Sequence, residues 1–246
     1  MKLVSLNVGL PREVPWHNTI VATGIFKQPV SGRIALRKLN LDGDRQADLR
    51  VHGGEYKAVY CYPVEHYAYW KQQLPGRDLG FASFGENFTA EGLLEDSVHL
   101  GDRFAVGSAE VVVTQPRLPC YKLGIRFASD EMVKRFLASA RTGFYLAVTR
   151  EGQVGAGDEI KLLSRDPTAA VPVSEITRLY VANHGAPNPK ATDKASPAVT
   201  DKMFNDIDAA VVRRALQVAA LPESWKSYLR DRLPRASRGH SSKVNA

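Results

Sequence analysis

One cysteine stands where the chain could present a reactive thiol. Cys120 follows an apolar run, residues 109–114, that predicts a strand, and it precedes a helix signal at Ser129. We therefore expect Cys120 on a connection, where rigid scaffolds usually present reactive groups. The connection also carries two prolines, which fix φ, and two basic residues, which favour a thiolate: Pro116, Pro119, Arg117 and Lys122. The alternative is a cysteine packed as a small hydrophobe.

A candidate base, His52, lies in a polar loop over residues 44–57. A cysteine hydrolase needs a base near its nucleophile, and His52 is the best candidate to activate Cys120. The alternative is a structural hydrogen bond within the loop. No two histidines have the spacing of metal ligands, so a metal would need most of its ligands from elsewhere. The second cysteine, Cys61, lies in an apolar run and is expected in the core.

The same loop offers contacts for an anion. Gly53 and Gly54 let a backbone come close to a phosphate. Arg45 and Lys57 could pair with the phosphate charge; the alternative for each is a solvated surface charge.

A third loop, residues 80–92, contains Glu86 and Asn87. Their carboxylate and amide groups could bind the edge of a heterocycle through acceptors and a pair of donors. The alternative is a turn that the asparagine stabilises.

The composition is that of a globular protein with 44% apolar and 24% charged residues. The net charge is +7, but the basic residues are scattered and no aromatic-rich RNA-binding motif occurs, so we expect no nucleic-acid polymer as a partner. No run of 18 apolar residues is present, which predicts no membrane span. The first residues lack a signal-peptide pattern, and two cysteines make no disulfide framework, so we predict a cytoplasmic chain.

Short apolar runs separated by turn residues dominate residues 1–165 and suggest a closed or nearly closed β-barrel. The predicted strands cover 2–8, 21–27, 34–41, 58–62, 97–106, 109–115, 144–149 and 159–163, with loops at 9–15, 80–92 and 151–157. Two helices are predicted between strands. The first begins at Pro63 and leaves His66 solvated, and the second runs from Ser129 to Gly143.

The pattern changes at Asp166, after which periodic apolar residues predict three helices over residues 166–234. They lie at about 173–182, from Asp206 to about 219, and from Pro222 onward, with a polar loop over 183–202. The basic, serine-rich residues 235–246 are expected to be a disordered tail. The whole chain is thus predicted as mainly β with α: a barrel with peripheral helices and a small three-helix module.

Four motifs in order resemble the MOSC family, named after the C-terminal domain of molybdenum cofactor sulfurase, and within it the YiiM-type proteins. The resemblance spans about residues 20–165, and the C-terminal helices resemble the three-helix module of that subgroup. The motif residues are Asp44, Ala47-Asp48, His52-Gly53-Gly54 and Lys57-Ala58; Tyr62-Pro63 and Glu65-His66-Tyr67; Gly85-Glu86-Asn87; and Gln115-Pro116-Arg117 with Pro119 to Leu123.

The resemblance implies a β-barrel with a pocket for the molybdenum cofactor, molybdopterin. Cys120 would be the thiolate ligand to molybdenum and the catalytic residue. The pterin dithiolene supplies two further sulfurs, so one protein thiolate would suffice. The cofactor-binding candidates are Arg45, His52, Gly53, Gly54, Lys57, Glu86, Asn87, Arg117 and Lys122.

Related proteins reduce N-hydroxylated compounds, including hydroxylamino-purines and amidoximes, with electrons from separate redox partners. The resemblance therefore implies a molybdenum-dependent reductase and a separate electron-donor reductase, because this chain has no flavin, haem or iron–sulfur motif. It has no room for the pyridoxal phosphate domain of the sulfurase. Two alternatives stay open: a non-catalytic carrier of cofactor or sulfur on Cys120, and a cysteine hydrolase that uses His52.

Overall fold

A closed barrel of eight strands forms the body of the computed structural model, which describes residues 1–167, 169–183 and 201–231. Two further strand pairs, β2–β3 and β5–β11, lie outside the eight-stranded order β12-β8-β9-β10-β6-β7-β1-β4. The strands are β1 (Lys2–Val8), β2 (Arg12–Trp16), β3 (Thr19–Thr23), β4 (Gln28–Pro29), β5 (Arg33–Leu36), β6 (Val59–Pro63), β7 (Phe88–Glu91), β8 (Arg103–Val106), β9 (Ala109–Pro116), β10 (Phe144–Arg150), β11 (Gly152–Gly155) and β12 (Ile160–Ser164).

The barrel closes between its first strand and the segment that leads into its last strand. The backbone N–H of Leu3 donates to the Asp158 carbonyl at 2.9 Å, and the N–H of Gly157 donates to Leu3 at 2.7 Å. The N–H of Ile160 donates to the Met1 carbonyl at 2.9 Å. Closure leaves fewer backbone groups unpaired at sheet edges, which stabilises a sheet of short strands. The predicted β-barrel is confirmed.

Helices lie between the strands and after the last one. A 3-10 turn, Glu55–Lys57, follows the shortest helix. The α-helices are α1 (Leu49–His52), α2 (His66–Gln73), α3 (Tyr121–Phe127), α4 (Glu131–Ala138), α5 (Val173–Asn183), α6 (Asp201–Gln217) and α7 (Glu223–Arg230). Within the described ranges, no helix combines the length and the apolar character that a membrane crossing requires.

The main hydrophobic core fills the barrel and continues into the three C-terminal helices. Leu6 and Phe88 belong to the same buried cluster as Ile176 on α5, Ala215 on α6 and Leu229 on α7. A smaller, aromatic cluster lies between β6, α2 and α4, where the rings of Trp70 and Phe136 stack at 5.5 Å. Burial of this apolar surface drives the assembly of both layers.

The C-terminal helices are tied to the barrel by backbone hydrogen bonds and by close packing. The N–H of Leu100 donates to the Val171 carbonyl at 2.9 Å, and Val218 lies so close that a Cβ at Gly101 would be 3.2 Å from it. All three predicted helices are present, although α6 begins at Asp201 rather than at 206. The division of the chain at residue 166 stays a prediction, and the predicted tail, 235–246, lies outside the described residues.

Several short elements were not expected from the sequence. The segments predicted as loops at 9–15, 80–92 and 151–157 contain β2, β7 and β11, and the predicted strands 34–41 and 97–106 are shortened to β5 and β8. Helix α3 begins directly after Cys120, before the predicted helix at Ser129. Elements of four to seven residues carry too little periodicity to be recognised, and tertiary pairing fixes their bounds.

The prediction that His66 is solvated is wrong. The residue is only 8% exposed, and its Nε2 lies 2.7 Å from the Glu95 carboxylate. The other oxygen of Glu95 accepts the backbone N–H of Gly143 at 2.7 Å. A buried polar side chain requires such partners, and this one joins α2 to the loops before β8 and β10.

Candidate functional site

A solvent-open cleft with about 650 Å³ of empty space brings together three of the four sequence motifs. The walls come from the chain after β3, the loop before α1, the turn after it, strands β6 and β10, the loop before β7, and the segment around Cys120. They include residues 23–25, 45–47, 84–85 and 117–118 together with Lys27, His52, Lys57, Tyr60, Asn87, Cys120, Lys122 and Tyr145.

Cys120 lies on the cleft wall immediately before α3. Its side chain is half-buried, in contrast to Cys61, which is fully buried in β6. The Sγ atom of Cys120 lies 3.7 Å from Nε2 of His52, within hydrogen-bonding distance for sulfur. The two residues that the sequence analysis paired as nucleophile and base are therefore neighbours, although 68 residues separate them in the chain.

Positive charge dominates the cleft. Among the described residues that line it, five are basic and none is acidic. Lys27 is neutralised by an ion pair with buried Asp44, which lies behind the wall. The five basic residues are Lys27, Arg45, Lys57, Arg117 and Lys122. A cleft lined in this way attracts an anionic ligand.

Arg117 is the most deeply buried basic residue of the cleft. No carboxylate in the described part of the chain forms an ion pair with it, in contrast to Lys27. Its guanidinium lies 4.8 Å from the ring centroid of Tyr60 and 5.0 Å from that of Phe136, so two aromatic faces hold it. Its Nη1 atom is buried without a hydrogen-bond partner. Because an unused buried donor is costly, Arg117 is poised to bind an anionic group.

The electrostatics keep His52 neutral. Partial burial lowers its pKa to about 4, and the nearby charges of Lys122, Lys57 and Arg117 act in the same direction. At neutral pH its ring is therefore a neutral hydrogen-bonding group. Burial also lowers the pKa of Lys57 below its usual value. The charged imidazolium that stabilises the thiolate of many cysteine hydrolases is disfavoured here.

Gly53 and Gly54 lie outside the cleft wall. A Cβ at Gly53 would be 2.6 Å from a side-chain carbon of Leu49, and Gly54 has a φ of +90°. Both glycines allow the tight turn that connects His52 to Lys57. The geometry thus gives them a backbone role and offers no support for the predicted contact with a phosphate.

Glu86 also points away from the cleft. Its fully buried carboxylate accepts hydrogen bonds from Tyr67 Oη, from Thr89 Oγ1 at 3.0 Å, and from the backbone N–H groups of Ala82 and Phe84 at 3.0 and 3.1 Å. Burial raises the pKa of this carboxyl. With both oxygens engaged, Glu86 holds the loop before β7 in shape, and it presents no acceptor to a heterocycle.

Asn87 lines the cleft, but its amide is already engaged. Nδ2 donates to the Asp44 carboxylate at 2.9 Å and to the Asn7 carbonyl at 3.2 Å, and Oδ1 accepts the backbone N–H of Tyr60 at 3.1 Å. Asp44 in turn pairs with Lys27. The asparagine therefore joins segments of the wall to buried segments behind it, which agrees with the turn-stabilising alternative.

The cleft residues that the sequence did not single out include Lys27, Tyr60 and Tyr145. The tyrosines face each other because the register of β6 and β10 pairs Tyr60 with Tyr145. A register between distant strands leaves no signal in one sequence. Lys27 is the one charged residue of the predicted strand 21–27, which was the only signal for it in the sequence.

No group of three or more histidine, cysteine, aspartate or glutamate residues that could hold a metal occurs in the described ranges. Cys120 is thus the candidate protein ligand in the cleft. A metal bound there would have to bring its remaining ligands with it.

Comparison with known proteins agrees with this architecture. The MOSC domain matches residues 48–161, and the "YiiM-like, 3-alpha helix domain" matches residues 205–236. The chain is 39% identical to "Uncharacterized protein YflK" of Bacillus subtilis over 92% of this chain and 91% of that protein. The crystal structure of YiiM from Geobacillus stearothermophilus superposes with a TM-score of 0.69 and 30% identity, covering 95% of this chain and 99% of that one.

A fungal relative differs in size. The chain is 30% identical to a Gibberella moniliformis protein named "Reductase", over 83% of this chain but only 36% of that protein. The relative is thus far longer than the part that it shares with this chain.

Proposed function

This chain belongs to the MOSC family and carries the YiiM-like three-helix domain, and from that premise we propose that it is a molybdenum-cofactor-dependent reductase of N-hydroxylated compounds. The substrates would be hydroxylamino-purines, amidoximes and related N–OH compounds. The name of the fungal relative, "Reductase", supports a reductase activity. The electron donor would be a separate protein.

The observation that carries the proposal is a single accessible thiol in a basic cleft. Molybdopterin brings two dithiolene sulfurs and a phosphate, so it needs one further sulfur ligand and positive charge around it. Cys120 supplies the former, and Lys57, Arg117 and Lys122 supply the latter. The unused buried donor of Arg117 fits the same anionic cofactor.

In the proposed reaction, the bound cofactor supplies the two-electron chemistry that removes the oxygen of an N–OH group. The balance is one N–OH group, two electrons and two protons to one N–H group and one water. Cys120 would hold the metal through its thiolate, and neutral His52 would orient the sulfur through a hydrogen bond. Lys57, Arg117 and Lys122 would offset the negative charge that accumulates in the cleft.

Metal and pterin content of the purified protein tests the proposal. Wild type, Cys120→Ser and the control Cys61→Ala would be expressed in molybdate-replete cells and purified without oxygen. We expect near-stoichiometric molybdenum and pterin in wild type and in Cys61→Ala, and loss of molybdenum or of amidoxime reduction in Cys120→Ser. Wild type that holds neither metal nor pterin when offered free cofactor would contradict the enzyme assignment.

A second candidate is a carrier of cofactor or of sulfur on Cys120, because an accessible thiol in a basic cleft also suits that role. Turnover of an amidoxime with reduced methyl viologen as electron donor separates the two. A carrier would bind the cofactor or a persulfide and show no turnover.

A further inference from the structure

Two arginines share one aromatic ring beside the cleft. The guanidinium carbon of Arg12 lies 3.7 Å from the ring centroid of Phe26, and that of Arg126 lies 5.2 Å from it. Arg12 is on the exposed β2–β3 hairpin, whereas Arg126 is half-buried near the end of α3. Leu10, two residues before Arg12, is an apolar side chain with 63% of its surface exposed. We call Leu10, Arg12, Phe26 and Arg126 the arginine–phenylalanine surface.

Neither arginine of this surface has an ion-pair partner within the described parts of the chain, although the buried Glu86 carboxylate attracts the charge of Arg126. By contrast, Arg33, Arg103 and Arg165 each have one. The Nε atom of Arg126 is buried without a hydrogen-bond partner. Two like charges held against one ring repel each other, and an incoming anionic group would relieve that repulsion.

The arginine–phenylalanine surface is close to the thiol but separate from the cleft. Arg126 is six residues after Cys120, which corresponds to about 9 Å along a helix axis. Neither arginine, nor Phe26, lines the cleft, although Ile25 and Lys27 on either side of Phe26 do. A partner on this surface would therefore approach the thiol without filling the substrate cavity.

We infer that the arginine–phenylalanine surface is the docking site of an acidic electron-donor protein. The inference rests on the proposed function, which needs two electrons per turnover from outside this chain. Arginine and aromatic side chains beside an exposed leucine have the composition of a protein interface core. Carboxylates of the donor would pair with Arg12 and Arg126, and its redox group would deliver electrons toward Cys120; two protons from solvent complete the reduction.

The test compares two electron donors with the cofactor-loaded protein. An acidic ferredoxin and an acidic flavodoxin, each kept reduced, serve as protein donors, and methyl viologen serves as the small donor. The variants are Arg12→Gln, Arg126→Gln and the pair together. The charge-matched control is Lys2→Gln with Lys71→Gln, two exposed lysines outside this surface.

We expect kcat/KM for a protein donor to fall about tenfold in the double arginine variant, because interface charges mainly accelerate association. The dependence of kcat/KM on salt concentration should become weaker for the same reason. Turnover with methyl viologen should stay unchanged in all variants. Equal losses in the lysine control, no loss in the arginine variants, or no transfer from either protein donor to wild type would overturn the docking site.

Two other outcomes identify a different role. A raised KM for the amidoxime with methyl viologen would mean that the surface binds substrate. A change in sedimentation from dimer to monomer would mean that a second copy of the chain covers it. Either result would overturn the inference while leaving the proposed function intact, whereas absence of methyl viologen turnover in wild type would contradict the proposed function itself.

Discussion

The Sγ atom of Cys120 lies 3.7 Å from Nε2 of His52, and this contact joins the end of α1 to the segment immediately before α3 on the wall of the cleft. The pair resembles a nucleophile and its base in spacing. Its electrostatics differ, because His52 is surrounded by cations that keep the imidazole neutral. The contact is therefore better suited to orienting a sulfur ligand than to forming a thiolate–imidazolium pair.

The depressed pKa of His52 predicts a specific pH dependence of stability. The unfolded state binds a proton near the usual pKa of 6.5, whereas the folded state binds it only near pH 4, so acidification from about 6.5 to 4 favours unfolding. We expect the free energy of unfolding of His52→Gln to fall less over this interval than that of wild type. Urea unfolding at intervals of half a pH unit measures the free energy of unfolding of both proteins. If this free energy fell equally with pH in the two proteins, the depressed pKa of His52 would be contradicted.

Gly143 is predicted to be one of the least replaceable positions. It has a φ of +68°, and an added Cβ would lie 2.4 Å from the Cys61 carbonyl oxygen. We expect Gly143→Ala to lower the free energy of unfolding by about 3 kcal/mol or more, through overpacking and backbone strain together. Gly76→Ala is the control, with a φ of +79° and open space around it, and should cost about 1 kcal/mol. Similar losses in the two variants would show that crowding is unimportant.

The buried ion pair of Lys27 and Asp44 should be costly to break. Lys27→Met leaves the Asp44 carboxylate buried without its cation, and we expect a loss of roughly 3–5 kcal/mol in unfolding free energy. Lys161→Met breaks an ion pair with Glu159 in which both side chains are 65% exposed, and should cost less than about 1 kcal/mol. Chemical denaturation of both variants measures the difference, and equal costs would refute a structural role for the buried pair.

A variant of Glu86 tests whether this residue stabilises the fold or contacts the cofactor directly. Glu86→Gln keeps the shape of the side chain but places an NH2 donor where one carboxylate oxygen accepts a backbone N–H, so we expect a loss of about 1–3 kcal/mol in stability. Molybdenum per folded chain should stay at the wild-type value. Lys122→Gln removes a charge from the cleft wall and should lower the amount of molybdenum per folded chain. A selective loss of cofactor in Glu86→Gln would restore the predicted direct contact.

The sequence by itself determined the family, the barrel, the three C-terminal helices and the candidate thiol, because each depends on local patterns or on motifs in a fixed order. It also identified Arg45, Lys57, Arg117 and Lys122, all of which line the cleft. Only the tertiary structure decided which motif residues line the cleft. Glu86, Gly53 and Gly54 shape the backbone behind the wall, and pairing of distant strands brings Tyr60 beside Tyr145. The partners of a buried polar group and the pairing of distant strands depend on contacts between segments far apart in the chain, and no short pattern in one sequence specifies them.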